Sequence, residues 1–221
     1  MNKLFLIYFL LFVSVNFVIA QIPDENLQLW LRADSVVANS NKVSRWYDLS
    51  SNNYLITQLT EINCPIVIEN SLNNQPVIQF DGINDYLDGG DILNLGANSH
   101  TFFIVGKSNS NNGTFIAKSK WAAVPDRYAL WFETGLFKWQ YHDNSQKVLT
   151  SSFNTSQYML ITATNDRQND VNNLYKNSVF LGQIDIANSY NINSLNNFLI
   201  GAYNNSSGTL PPKTGYYLNG E

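Results

Sequence analysis

Short runs of β-branched and aromatic residues alternate along this chain with clusters of asparagine, glycine, serine and aspartate. Runs of that make-up, closed at each end by turn residues, predict β-strands. The clearest cover residues 28–31, 43–47, 76–80, 101–106, 114–117, 128–132, 137–141, 158–164, 174–175, 178–181 and 198–201. The run 158–164 is uninterrupted enough to predict a central strand. No stretch carries a convincing helical period, and nothing alternates strands with long helices, which argues against a parallel α/β sheet. About a dozen strands, each burying one face, call for an all-β fold of two stacked antiparallel sheets.

The 32 asparagines sharpen this picture. Asparagine tolerates left-handed backbone and bonds its own main chain, so the pairs Asn52-Asn53, Asn73-Asn74, Asn172-Asn173 and Asn196-Asn197 mark turns. No Pro/Ser-rich linker divides the chain and no segment repeats. Residues 21–221 therefore read as one domain, and about 200 residues are enough to bury a sizeable core.

The start of the chain predicts its compartment. Met1-Asn2-Lys3 is followed by an apolar run over 4–19, and Val18 and Ala20 stand at the minus-three and minus-one positions of a cut before Gln21. That three-part layout predicts a signal peptide over 1–20, hence a secreted or cell-surface protein. A membrane anchor is the alternative, since the run nearly reaches the roughly 18–20 apolar residues that span a bilayer, but the Ala20-Gln21 junction and the polar stretch Pro23-Asp24-Glu25-Asn26 after it favour cleavage. No later segment is long and apolar enough to cross a membrane.

Net charge is -4 and no Lys/Arg cluster occurs, which argues against a nucleic-acid partner. The single cysteine, Cys64, cannot form an intrachain disulfide. Lying before Pro65 and beside Ile66, Val67 and Ile68, it reads as a small buried apolar side chain rather than a catalytic thiol.

Three motif groups bear on family. Leu29-Trp30-Leu31-Arg32-Ala33-Asp34 precedes Val43-Ser44-Arg45-Trp46-Tyr47-Asp48-Leu49-Ser50, and Phe80-Asp81-Gly82-Ile83-Asn84-Asp85-Tyr86 follows. Leu174-Tyr175-Lys176-Asn177 and Phe198-Leu199-Ile200-Gly201, then Leu218-Asn219-Gly220-Glu221, complete the series. In order and spacing these resemble the laminin-G-like, concanavalin-type jelly-roll domains of secreted bacterial proteins. Ser178 departs from the pattern where glycine is usual. The resemblance implies a jelly-roll sandwich, and it implies that the closing N-G-E opens one more apolar strand. The expectation is therefore a domain lacking its last strand, a fragment of a longer parent protein with further domains.

The chemistry-bearing residues are few. Glycoside hydrolysis needs two facing carboxylates, roughly 5–5.5 Å or 6.5–9.5 Å apart. Glucanases resembling this scaffold carry alternating acids on one strand, a pattern missing here; Glu133 has no same-strand partner. His100 and His142 lack the surroundings of a triad or zinc site. The acidic segment 81–91 has two readings. Either Asp81-Gly82 forms a tight turn that Asp85 caps by bonding backbone N–H groups, or Asp81 and Asp85 hold a structural calcium ion with Glu221, as the resemblance allows.

Trp121, Tyr128, Trp131, Trp139, Tyr141 and His142 crowd into one segment and form the candidate carbohydrate platform. Sugar C–H faces stack on aromatic rings. Yet Tyr128, Leu130 and Phe132 fall on one strand face and Ala129 and Trp131 on the other, so at least one set must be core. The expected function is non-catalytic recognition of a carbohydrate or glycoprotein, in adhesion or targeting. A structural display domain without ligand and a glycan-cleaving enzyme are the alternatives.

Overall fold

The computed structural model describes residues 24–119, 127–142, 145–152, 154–186, 191–207 and 210–221. The predicted signal peptide lies outside them. Its strands are β1 (Leu31–Asn39), β2 (Lys42–Asp48), β3 (Leu55–Thr57), β4 (Ile66–Leu72), β5 (Gln75–Asp81), β6 (Leu87–Asp88), β7 (His100–Gly106) and β8 (Gly113–Lys118). There follow β9 (Arg127–Glu133), β10 (Leu136–His142), β11 (Gln146–Ser152), β12 (Met159–Asp166), β13 (Val171–Lys176), β14 (Val179–Asp185), β15 (Phe198–Ile200) and β16 (Asn219–Gly220). The one helical piece among the described residues is a single 3-10 turn at Glu61–Asn63. No helix among them is long and apolar enough to cross a membrane.

Two antiparallel sheets form a sandwich, as the sequence predicts. The larger has the order β11-β10-β9-β8-β15-β6-β3-β2-β4-β5-β16, with β1 paired to β2; the smaller has the order β14-β13-β12-β7. In the larger sheet β2 and β4 meet through a single pair, Lys42 and Ile66. The smaller sheet lies over β9 and β10. The ring of Phe102 on β7 sits 5.3 Å from that of Tyr128 and 5.7 Å from that of Trp139.

Strand β12 shows the period of two that makes such a fold. Met159, Ile161 and Ala163 are buried in the core, whereas Leu160, Thr162 and Thr164 face outward. Sequence reading placed β7, β8, β9, β10 and β12 to within two residues. Its first run, 28–31, meets β1 only at Leu31, and it did not anticipate β3, β4, β6 or β11, whose runs are short or mixed with polar residues.

Turn chemistry fixes the hairpins. Four connections are two residues long with positive φ at both positions: Ser40 and Asn41, Asn73 and Asn74, Thr134 and Gly135, Asn177 and Ser178. Paired positive φ values match the twist of the flanking strands, which favours such turns between antiparallel neighbours. Ser178, the departure from the expected glycine, therefore still takes the left-handed conformation, at φ 67.

The family-like motifs have structural roles. Buried Asp48 accepts backbone N–H bonds from Trp30, Ser50 and Tyr54 and a hydroxyl bond from Ser50, tying the first strand to the turn after β2. Gly201, at φ 82, lies so close to the Phe80 ring that an added Cβ would meet it at 2.3 Å. Only glycine fits both the conformation and the space.

Candidate functional site

On the outer face of the four-stranded sheet, a cleft of about 420 Å3 is lined by Ser99, Thr101, Thr164, Asp166, Asn173 and Tyr175, with His100 and Asn165 at its base. Register assembles it. Thr164 stands opposite Thr101 on β7 and Asn173 on β13, and Asn173 Nδ2 donates to Thr164 Oγ1 at 3.3 Å. One pleat further along, Phe103, Thr162, Tyr175 and Phe180 form a row across all four strands. Phe103 is 71% exposed and Phe180 is 52% exposed. Hydroxyl and amide groups thus border an open aromatic strip.

Local bonds and burial shift two ionisable groups of the cleft, Asp166 and His100. Asp166 accepts from the Asn169 side chain and from the backbone of Gln168 and Asn169, and these bonds, led by the Asn169 amide, hold its carboxyl below the usual range. His100 Nδ1 donates to the Asn98 carbonyl at 2.9 Å, which puts the proton on that nitrogen. Burial pushes its pKa down to about 4, so the ring is neutral at physiological pH. Sequence reading missed this site, because no single segment carries it.

The expected aromatic platform is distributed differently. Tyr128, Trp139 and Tyr141 have no exposed surface and pack in the core between the sheets, so their rings are closed to a ligand. That corrects the expectation, and the cause is position. Strands β9 and β10 lie mid-sheet, and β7 covers their inner faces. Trp121 lies outside the described residues. His142 is buried. Trp131 does point outward, yet it is only 5% exposed, because Tyr203 and Tyr216 pack on it with ring centroids 5.5 Å away.

Around Trp131 a polar net closes the surface. Lys138 Nζ lies 4.7 Å from the centre of its ring and pairs with Glu133 at 2.5 Å; Tyr216 donates to Glu133 at 2.6 Å. Burial raises the Glu133 carboxyl, but the bonds from Lys138 and Tyr216 outweigh it and hold the pKa below the usual value. Glu133 is thus ionised, which does not suit it to be a proton donor.

The acidic segment forms a turn. Asp81 Oδ1 accepts from the N–H groups of Ile83, Asn84 and Asp85, and Asp85 Oδ2 accepts from the Asp81 N–H. Burial and the neighbouring Asp81 charge raise the Asp85 pKa to about 6. Glu221 instead bonds Gln79, Lys107 and Tyr158. Calcium wants six to eight oxygens. Asp81 Oδ1 and Asp85 Oδ2 serve the turn and Glu221 serves other partners, and among the described residues the three are not gathered into a group that could hold one ion.

No family model matches this chain, and no curated protein does. Solved structures do. The binding domain of Paraclostridial Mosquitocidal Protein 1 matches at 15% identity and a TM-score of 0.61, over 80% of this chain and 44% of that one. The receptor binding domain of botulinum neurotoxin D matches at 17% identity and a TM-score of 0.53, over 76% of this chain and 45% of that one. A shorter overlap, 55% of this chain and 72% of that one at 14% identity and a TM-score of 0.43, is with the CBM40 of the Ruminococcus gnavus IT-sialidase bound to alpha2,3 sialyllactose. The chain spans less than half of either toxin domain. The likeness is one of fold: a β-sandwich of the lectin-like kind.

Proposed function

We propose that this protein is a non-catalytic module, of a secreted or cell-surface protein, that binds carbohydrate free or on a glycoprotein. The cleft on the four-stranded sheet is its binding site. The observation that carries the reading is the row of exposed Phe103, half-buried Tyr175 and exposed Phe180 beside a cleft lined with hydroxyl and amide groups. Apolar sugar faces stack on such rings, and the hydroxyls of Thr101 and Thr164 and the amide of Asn173 exchange hydrogen bonds with sugar hydroxyls.

Two further points support it. The two toxin structures of similar fold named above are binding domains, and the order of motifs resembles laminin-G-like, concanavalin-type modules. Against hydrolysis, Asp166 is the one carboxylate among the described residues that line the cleft, and its turn bonds favour the charged form, whereas glycoside cleavage uses a pair.

A glycan array probed with the wild-type chain, Tyr175→Ala and Phe103→Ala tests this. Binding of at least one glycan class that both substitutions weaken supports the cleft. Binding unchanged by both overturns it, and so does the absence of any bound glycan, which favours a ligand-free display domain.

A further inference from the structure

We infer that the cleft on the four-stranded sheet selects its glycan by charge: it takes sugars without acidic groups and favours those that carry a protonated amine. The inference rests on the carbohydrate reading of that cleft and names the class of sugar. Its basis is the order of rows across the outer face of the sheet. Side chains two apart along a strand share a face and repeat about every 7 Å. The aromatic row of Phe103, Tyr175 and Phe180 is followed by a row of hydroxyls and amides, Thr101, Thr164, Asn173 and Gln183. One step further comes an acidic row, in which Asp166 and Asp185 flank Val171. Asp185 is exposed, and Tyr175 and Asp166 both line the cleft. From the aromatic to the acidic row is about 14 Å along β13, so a ligand touching both is an oligosaccharide laid along the strands.

Cations lie elsewhere. Among the described residues these three rows hold two carboxylates and no Lys or Arg, and neither carboxylate is in an ion pair. Arg167, next to Asp166, turns to the opposite face, where its guanidinium sits 5.1 Å from the centre of the buried Tyr141 ring. Lys176, next to Tyr175, also points away and donates to the Asn154 carbonyl at 3.4 Å. Lys107 lies past Val105, beyond the aromatic row, and is paired with Glu221. His100, at the base of the cleft, is neutral at physiological pH. A carboxylate or sulfate on the sugar thus meets two like charges and no partner.

The acidic row also keeps acceptors to spare. Asp166 takes the Asn169 amide and the Gln168 and Asn169 N–H groups, yet an ionised carboxylate offers about four lone-pair sites. No protein donor among the described residues bonds the Asp185 carboxylate. An ammonium brings donors and no acceptor, and the faces of aromatic rings attract cations. An amino sugar is therefore favoured at the acidic row and tolerated at the aromatic one. Water screens both carboxylates, so the selection is modest and depends on salt.

An array of matched neutral, amine-bearing and acidic oligosaccharides tests this, probed in low salt at about pH 6, where carboxylates are charged and sugar amines hold their proton. The chains compared are the wild type, Tyr175→Ala, and the double variant Asp166→Asn with Asp185→Asn. Asparagine at 166 keeps the oxygen that the Gln168 and Asn169 N–H groups need. The wild type is expected to bind amine-bearing members about 1.5- to 5-fold more tightly than neutral ones, and acidic members more weakly by a like factor. In the double variant the three classes converge. Amine-bearing glycans bound no better than neutral ones, acidic glycans bound as well as neutral ones, or a charge preference that the double variant retains each overturn the inference and leave the carbohydrate reading standing. No glycan bound by the wild type, or binding that ignores Tyr175→Ala, overturns the reading of the cleft and the inference with it.

Discussion

Tyr175 on β13 and Phe180 on β14 hold their rings 5.5 Å apart at 57° on the outer face of the four-stranded sheet. The pair leaves the Tyr175 ring beside Asn173 and Thr164, within reach of the cleft. A sugar face stacked on the Tyr175 ring is taken to gain an amount like that of an aromatic pair, about 0.5–1.5 kcal/mol. Tyr175→Ala is therefore expected to weaken sugar binding by roughly two- to tenfold, with the fold retained. Titration calorimetry on the glycan selected by an array, with a thermal melt as control, checks both.

Burial of the central aromatics sets a contrasting expectation. Trp139 is fully buried, 5.7 Å from the Phe102 ring and 6.5 Å from that of His100. Trp139→Ala removes a large core side chain and leaves a cavity, a loss of roughly 3–5 kcal/mol. Urea unfolding measures it. A loss below about 1 kcal/mol would place the ring at the surface instead.

Two buried groups act on acid stability with opposite sign. Asp85 has a folded pKa raised to about 6, so its contribution is fully present below the unfolded value and is lost as pH rises through 6. Asp85→Asn removes that loss and keeps an oxygen for the Asp81 N–H. The variant is expected to gain stability over the wild type as pH rises from about 4 to about 6, with a constant difference above. His100 has a folded pKa lowered to about 4, so stability is lost as pH falls from its unfolded value of about 6.5 toward 4. His100→Gln should flatten that limb. Urea midpoints of the three chains between about pH 3.5 and 8 separate the two contributions.

Lys118 is 1% exposed and bonds Asp91 at 2.7 Å and the Asn196 carbonyl at 2.8 Å. Burial lowers its pKa, and the bond to Asp91 opposes that shift. Asp91→Ala leaves a buried ammonium with one acceptor fewer. Because the Asp91 side chain is 41% exposed, water replaces part of the bond, and the expected loss is about 1–3 kcal/mol rather than that of a fully buried pair. Lys118→Met combined with Asp91→Ala should recover part of it.

Much of the fold was legible in the sequence. The apolar run 158–164 gave a central strand, and Asn73-Asn74, read as a turn, closes the β4–β5 hairpin, whereas Asn172-Asn173, read the same way, lies inside β13, where both residues pair with β12. Orientation was less legible. Phe102 and Phe103 are adjacent and chemically identical, yet one packs on Tyr128 and the other is 71% exposed. Their roles depend on which face of β7 meets the other sheet. The aromatic density of 128–141 drew attention to rings that are mostly core. The cleft was hidden because Thr101, Thr164 and Asn173 meet only through the register of three strands.

The most direct measurement is a chemical-shift map of the labelled chain titrated with a bound glycan. Shifts centred on Thr101, Thr164, Asn173 and Tyr175, with the sugar recovered intact, are the expected result. Shifts centred instead on Trp131 and Tyr216, or release of a cleaved sugar, would contradict a non-catalytic site on the four-stranded sheet.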